Sequence, residues 1–185
     1  MNSLLSVGVF CGSKSGSLPI YSEAAKALGT YIGTHGMRLV FGGGNTGLMG
    51  DVSQSALRAG AHVTGIMPHL LVGTEAPKHN LSELLFTESM SRRKEIMMER
   101  SDIFVVLPGG VGTLDEAFEV ITDNWLEIFR KPLGFLNVDH YYDALFQFLE
   151  HGVSSGFIAK DCLELCIIDS SPERLVERLR QAIKG

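Results

Sequence analysis

No run of the chain stays apolar for the roughly 18 residues that a bilayer crossing requires. The opening Met1-Asn2-Ser3-Leu4-Leu5 has neither the basic flank nor the long apolar core of an export signal. Both absences lead to the expectation of a cytoplasmic protein that engages no membrane. Positive charge is in short supply: 16 Lys and Arg face 21 Asp and Glu, a formal net charge of −5, so no general field attracts nucleic acid. An anionic ligand must therefore be held by local features. Cysteine is scarcer still. Cys11, Cys162 and Cys166 are odd in number and include no CxxC pair, which argues against a disulfide framework or a zinc site and implies reduced, packing thiols. The six histidines show no HxxxH-type spacing, so no metal site is expected. Linkers, internal repeats and low-complexity stretches are missing too. The 185 residues read as a single nucleotide-binding domain over 1–185, enough to bury roughly 70% of the unfolded surface.

What the chain has in excess is glycine, 21 of 185 residues, about 11% against a usual ~7%. Gly and Pro punctuate an alternation of short apolar runs and helical patterns, the mark of βαβ units. Strands are expected at Leu5–Cys11, Arg38–Phe41, His62–Met67 (stopped by Pro68), Leu84–Thr87, Ile103–Leu107, Leu133–Val138 and Leu165–Ile168. Helices are expected at about Pro19–Thr34, Gly47–Ala59, Met90–Arg100, Thr113–Arg130, Tyr141–His151 and Pro172–Ala182, with 69–82 irregular. This is too helical for a sandwich and has too few units for an eight-fold barrel. The expected fold is α/β: a Rossmann-like, doubly wound, mostly parallel sheet of about seven strands with helices on both faces. Ligands of such sheets lie at the carboxyl ends of the strands, which directs attention to the loops after Cys11, Phe41 and Leu107.

Gly42-Gly43-Gly44-Asn45-Thr46-Gly47 satisfies GxGxxG between a strand and a helix, which invites a dinucleotide reading. The next strand, however, ends Gly65-Ile66-Met67-Pro68, without the acid that would hold a ribose. Two readings remain: a tight turn with close strand–helix packing, or contact with a phosphate or ribose. The loop from Pro108 to Glu116 is the sharper signal. Backbone N–H groups of Gly110, Val111, Gly112 and Thr113 can converge there on a phosphate, with the helix dipole behind them. It has no Walker lysine, which argues against NTP hydrolysis. Thr113-Leu114-Asp115-Glu116 is also T-x-x-E, so Glu116 either closes a capping box on Thr113 or presents a carboxylate to a ligand.

Met90, Arg93 and Met97 fall at i, i+3 and i+7, one stripe of a helix, so Arg93 shares its apolar face. Either it meets an anion there, a substrate phosphate or an internal carboxylate, or its head reaches out to solvent. Asp115, Glu116 and Glu119 rise from one helix and cannot flank a sugar as a glycosidase pair does. Trp125, Ile128 and Phe129 make a late stripe that fits core packing or contact with a second copy.

Pro108-Gly109-Gly110-Val111-Gly112-Thr113-Leu114-Asp115-Glu116 matches the signature PGGxGTxxE, and Met90-Ser91-Arg92-Arg93-Lys94 resembles an MHxRK segment. Cys11-Gly12-Ser13, Phe41-Gly42-Gly43-Gly44, Gly47-Leu48-Met49-Gly50, Thr64 to Pro68 and Lys131 to Gly134 fall in line with them. Over nearly its whole length the chain resembles the Lonely Guy (LOG) family of cytokinin riboside 5′-monophosphate phosphoribohydrolases, long mislabelled as lysine decarboxylases. The resemblance implies hydrolysis of the N-glycosidic bond of AMP or an N6-modified AMP to the free base and ribose 5-phosphate. It implies a homodimer and no metal or pyridoxal cofactor. It gives catalytic roles to Arg93 and Glu116, and substrate contacts to Glu75, Arg93, Lys94, Gly110, Val111, Gly112, Thr113, Leu114, Asp115, Glu116 and Thr122. Glu75 and Thr122 rest on the resemblance alone. Ser91 in place of His, Asp115 in place of Glu and the polar Asn45-Thr46 depart from the family pattern, which bears on the base taken more than on the reaction.

Charge then outlines a mechanism. An anionic Glu116 beside the anomeric carbon stabilises an oxocarbenium-like centre and orients water. The N–H groups anchor the 5′-phosphate, and Arg93 contacts phosphate or sugar while keeping Glu116 ionised. The alternative is a nucleotide or cofactor carrier that uses the same nest without chemistry.

Overall fold

The computed structural model describes residues 4–183. Its seven strands are β1 Ser6–Phe10, β2 Arg38–Phe41, β3 His62–Pro68, β4 Glu83–Thr87, β5 Ile103–Val106, β6 Leu133–Leu136 and β7 Cys166–Asp169. They form one all-parallel sheet in the order β4-β3-β2-β1-β5-β6-β7. The central strands β1 and β5 are buried along their whole length, as a parallel sheet covered on both faces requires. Helices α1 Pro19–Thr34, α2 Gly47–Arg58 and α7 Pro172–Ala182 close one face, adding Leu28, Val52 and Leu175 to a core with Val9, Phe41 and Val105. Helices α3 Met90–Arg100, α4 Val111–Trp125, α5 Asp143–Ser154 and α6 Lys160–Glu164 lie on the other, where Met97, Val120 and Phe146 join Phe10, Phe104 and Phe135. Among the described residues no helix is long and apolar enough to cross a membrane.

The chain lays β2 to β4 on one side of β1 and β5 to β7 on the other. That reversal leaves a crevice between the loops after β1 and β5, with the loop after β2 beside it.

Three helices cover the expected residues. Pro19 opens α1, and the Ser89 hydroxyl caps α3 by accepting from the Arg92 N–H at 3.1 Å. Ser171 caps α7 ahead of Pro172. Helix α4 differs from expectation at both ends. Extended Gly110 is its cap, so it starts at Val111 rather than Thr113. It stops at Trp125 rather than Arg130 because the Asn124 amide binds both the N–H and the C=O of Lys131, each at 2.8 Å, while Glu127 takes a left-handed φ of 58°. Trp125 and Ile128 are left exposed, and Phe129 packs on the second core. Pro68 is the last residue of β3 rather than the first beyond it: it pairs with Thr87 of β4, past the point where β2 stops opposite Gly65. Helix α6, five residues long, is too short to leave a periodic signal.

Candidate active site

The loops after β1, β2 and β5 enclose a cavity of about 530 Å³ at the carboxyl end of the sheet, a volume suited to a nucleotide-sized ligand. They are tied to one another. Gly12 N–H donates to the Pro108 carbonyl at 3.1 Å, Leu48 N–H to the Gly12 carbonyl at 3.1 Å, and the Thr46 hydroxyl to the Ser13 carbonyl at 3.2 Å. Tyr141 donates its hydroxyl to the Gly109 carbonyl at 2.6 Å and stands edge-on to Tyr21 with ring centres 5.7 Å apart, forming one wall. The sequence left both tyrosines without a role, because only the meeting of α1 with the segment after β6 brings them to the cavity.

The start of α4 forms the floor. The N–H groups of Val111, Gly112 and Thr113 precede the first helical hydrogen bonds and have no partner within the helix. Two of the glycines here are explained neither by backbone strain nor by crowding. A Cβ on Gly110 or Gly112 would meet nothing within 4 Å, and neither has a positive φ. Open space thus surrounds the chain beside these N–H groups. Gly109 is different, since a Cβ there would strike the Thr113 hydroxyl.

Arg93 and Glu116 meet on the inner side of this cavity. The stripe position of Arg93 carries its guanidinium inward, so it is buried rather than reaching solvent. Its Nε donates to the Ile66 carbonyl at 3.1 Å and its Nη2 to the Gly42 carbonyl at 2.9 Å. Its Nη1 lies 3.7 Å from Glu116 Oε1. Gly42 makes this possible, because a Cβ there would overlap Nη2. Close packing thus accounts for Gly42 against the arginine and for Gly47, whose left-handed φ of 60° sets it against the Ser13 backbone. Glu116 is not the acid of a capping box: Thr113 is the third residue of α4, and Glu116 lies a turn further in, buried and lining the cavity. Burial pushes its pKa up to about 7 despite the opposing guanidinium. Arg93 acts in the expected direction, favouring the ionised form, but lost hydration outweighs the ion pair. Cys11, also on the cavity wall, is held as a neutral thiol by burial and by the Glu116 charge.

Glu75 reaches the cavity from a long loop. The segment 75–78 pairs with 43–45: Asn45 N–H donates to the Ala76 carbonyl at 2.9 Å and Lys78 N–H to the Gly43 carbonyl at 3.0 Å. Buried Lys78 then donates from Nζ to Asn45 Oδ1 and Gln54 Oε1, both at 3.1 Å, which gives the polar Asn45 a structural reason. Glu75 Oε2 is shielded and has no hydrogen-bond partner among the described residues. Of the residues expected at the site, Glu75, Arg93, Gly110, Val111, Gly112, Thr113 and Glu116 line the cavity. Lys94, Leu114, Asp115 and Thr122 do not. Lys94 is bound by Asp115 at 3.0 Å and by Glu119, clamping α3 to α4. Leu114 packs on the second core, and the exposed Thr122 bonds back to the Phe118 carbonyl at 2.7 Å. Among the described residues no three His, Cys, Asp or Glu side chains cluster as metal ligands.

A family model described as possible lysine decarboxylase matches residues 49–179. Curated relatives in Arabidopsis thaliana are named cytokinin riboside 5′-monophosphate phosphoribohydrolases. One is 42% identical over 173 residues, 94% of this chain and 80% of the relative; another is 40% identical over 175 residues, 95% and 82%. Among solved structures, the molybdenum cofactor binding protein of Rippkaea orientalis superposes with a TM-score of 0.75 at 26% identity, covering 99% of both chains. The Moco carrier protein of Chlamydomonas reinhardtii superposes at 0.73 with 21% identity, 98% of this chain and 99% of that one, a likeness of fold. A decarboxylase of the pyridoxal type needs a lysine for its Schiff base. The residues do not fit one: among the described residues the cavity's sole lysine is Lys14 on its exposed rim, and buried Lys78 lies outside the lining.

Proposed function

Because the chain belongs to the family of cytokinin riboside 5′-monophosphate phosphoribohydrolases, for which lysine decarboxylase is an old mislabel, we propose that its cavity hydrolyses nucleoside 5′-monophosphates of adenine or N6-modified adenine. The products are the free base and ribose 5-phosphate. One observation carries the reading: the buried Arg93–Glu116 pair faces the same cavity as the free N–H groups of α4. A carrier needs the nest alone. A buried carboxylate with a pKa near neutrality, held by an arginine, is the equipment of a reaction.

The chemistry follows from charge. Cleaving the bond between ribose and base leaves positive charge on the anomeric carbon while the bonding electrons depart with the base nitrogen. An ionised Glu116 stabilises that charge and takes a proton from the attacking water. Uptake of one proton by the base releases it neutral, so that water is consumed and Glu116 returns to its ionised form once it gives its proton up. Arg93, its Nε and Nη2 bound to carbonyls, fixes the carboxylate with Nη1 and shares the sugar-binding side. Glu75 takes ribose hydroxyls with its unpaired oxygen. The N–H groups of Val111, Gly112 and Thr113 hold the phosphate, and that remote anchor positions the reacting carbon. A cytosolic location and a homodimer belong to the same proposal, supported by the three free cysteines and by the exposed Trp125 and Ile128. Product analysis over AMP, N6-isopentenyl-AMP and the matching nucleosides tests the reading. Free base is expected from the monophosphates, with nucleosides slower by at least about a hundredfold in kcat/KM. Equal rates on nucleosides, or binding of monophosphates without base release, contradict it.

A further inference from the structure

The cavity is short of positive charge for a doubly anionic phosphate ester. Its lining holds two carboxylates, Glu75 and Glu116, against two cations, Arg93 and Lys14. Arg93 is committed in depth, to two carbonyls and to Glu116. The loop that opens α4 supplies N–H groups but no cationic side chain.

We propose that Lys14, reaching over from the loop after β1, is the cation that neutralises the 5′-phosphate and sets this chain's preference for phosphorylated substrates. The loop is fixed where it needs to be. Gly12 is bonded to Pro108, and a Cβ on Gly12 would lie 3.4 Å from Gly109 Cα, so the β1 loop lies directly against the start of the phosphate nest. Its other flank is held by Thr46. Lys14 itself is exposed on the cavity rim, and among the described residues its ammonium has neither an ion pair nor a hydrogen bond. A lysine binds phosphate as a mobile point charge and needs no rigid fork, which suits a rim position. The chain thus separates two duties that a Walker loop combines, taking N–H groups from one βα loop and the cation from its neighbour.

This inference rests on the phosphoribohydrolase reading, and a binding measurement separates the two. Calorimetry with ribose 5-phosphate, which involves no turnover, is run on the parent, Lys14→Gln and Lys14→Arg at low and high salt. Loss of the charge is expected to weaken binding about tenfold, the order of one partly solvated charge-assisted contact, and to flatten its salt dependence. Lys14→Arg retains most of the affinity. In turnover, Lys14→Gln raises KM for AMP by a similar factor and leaves kcat within about twofold, as loss of uniform binding does. Ribose 5-phosphate binding within twofold of the parent in Lys14→Gln overturns the role of Lys14, whatever the activity. A parent that binds ribose 5-phosphate through Lys14 but releases no base from any monophosphate overturns the reaction and leaves the phosphate contact standing.

Discussion

Glu116 sits where its own charge is costly. With a pKa near 7, it ionises in the middle of the physiological range, so kcat/KM is expected to rise with pH below about 7 and level off above it. A pH profile that falls through 7 instead would make Glu116 a proton donor in the rate-limiting step. Stability moves the other way. The folded pKa lies above the ordinary 4.5, so stability is full below 4.5 and is lost as pH rises through about 7. Thermal melts of Glu116→Gln should therefore gain on the parent at pH 8 relative to pH 5, where the parent carboxyl is already protonated. The inward turn of Arg93 was readable from its place between Met90 and Met97, because a helix stripe is local information. The position of Glu75 was not, since it depends on 75–78 pairing with 43–45 across more than thirty residues.

At the level of elements, the loop-to-helix junctions do the positioning. Gly42 lets the β2 loop close over the guanidinium, so Gly42→Ala must push Nη2 aside. The tip of a long side chain can move, so this variant should lose at least about tenfold in kcat/KM with a small loss in melting temperature. Gly112→Ala makes the opposite point. It lies in the first turn of α4 with open space around it, so the change should leave stability equal or raise it by up to about 1 kcal/mol. KM for AMP should nonetheless rise, because the methyl group occupies the approach to the N–H groups. If KM is unchanged, the phosphate does not lie there. The sequence marked this junction but started α4 two residues late and extended it by five, since Gly110 as a cap and the Asn124–Lys131 clasp carry no periodic signature.

Across the whole molecule, the alternation of strands and helices was enough to foresee a doubly wound parallel sheet. It did not show which loops would touch, because the order of strands is fixed by packing between elements far apart in the chain. That order puts the loops after β1, β2 and β5 around one cavity and brings Arg93 from α3 to Glu116 from α4. The most direct test of that meeting is the rate of free-base release from AMP by Glu116→Gln at saturating substrate, with AMP affinity measured on the same preparation. A fall of at least about a hundredfold in rate with affinity within about threefold is predicted, since the amide keeps the shape and loses the charge. A variant that turns over at close to the parent rate would show that this carboxylate takes no part in breaking the glycosidic bond.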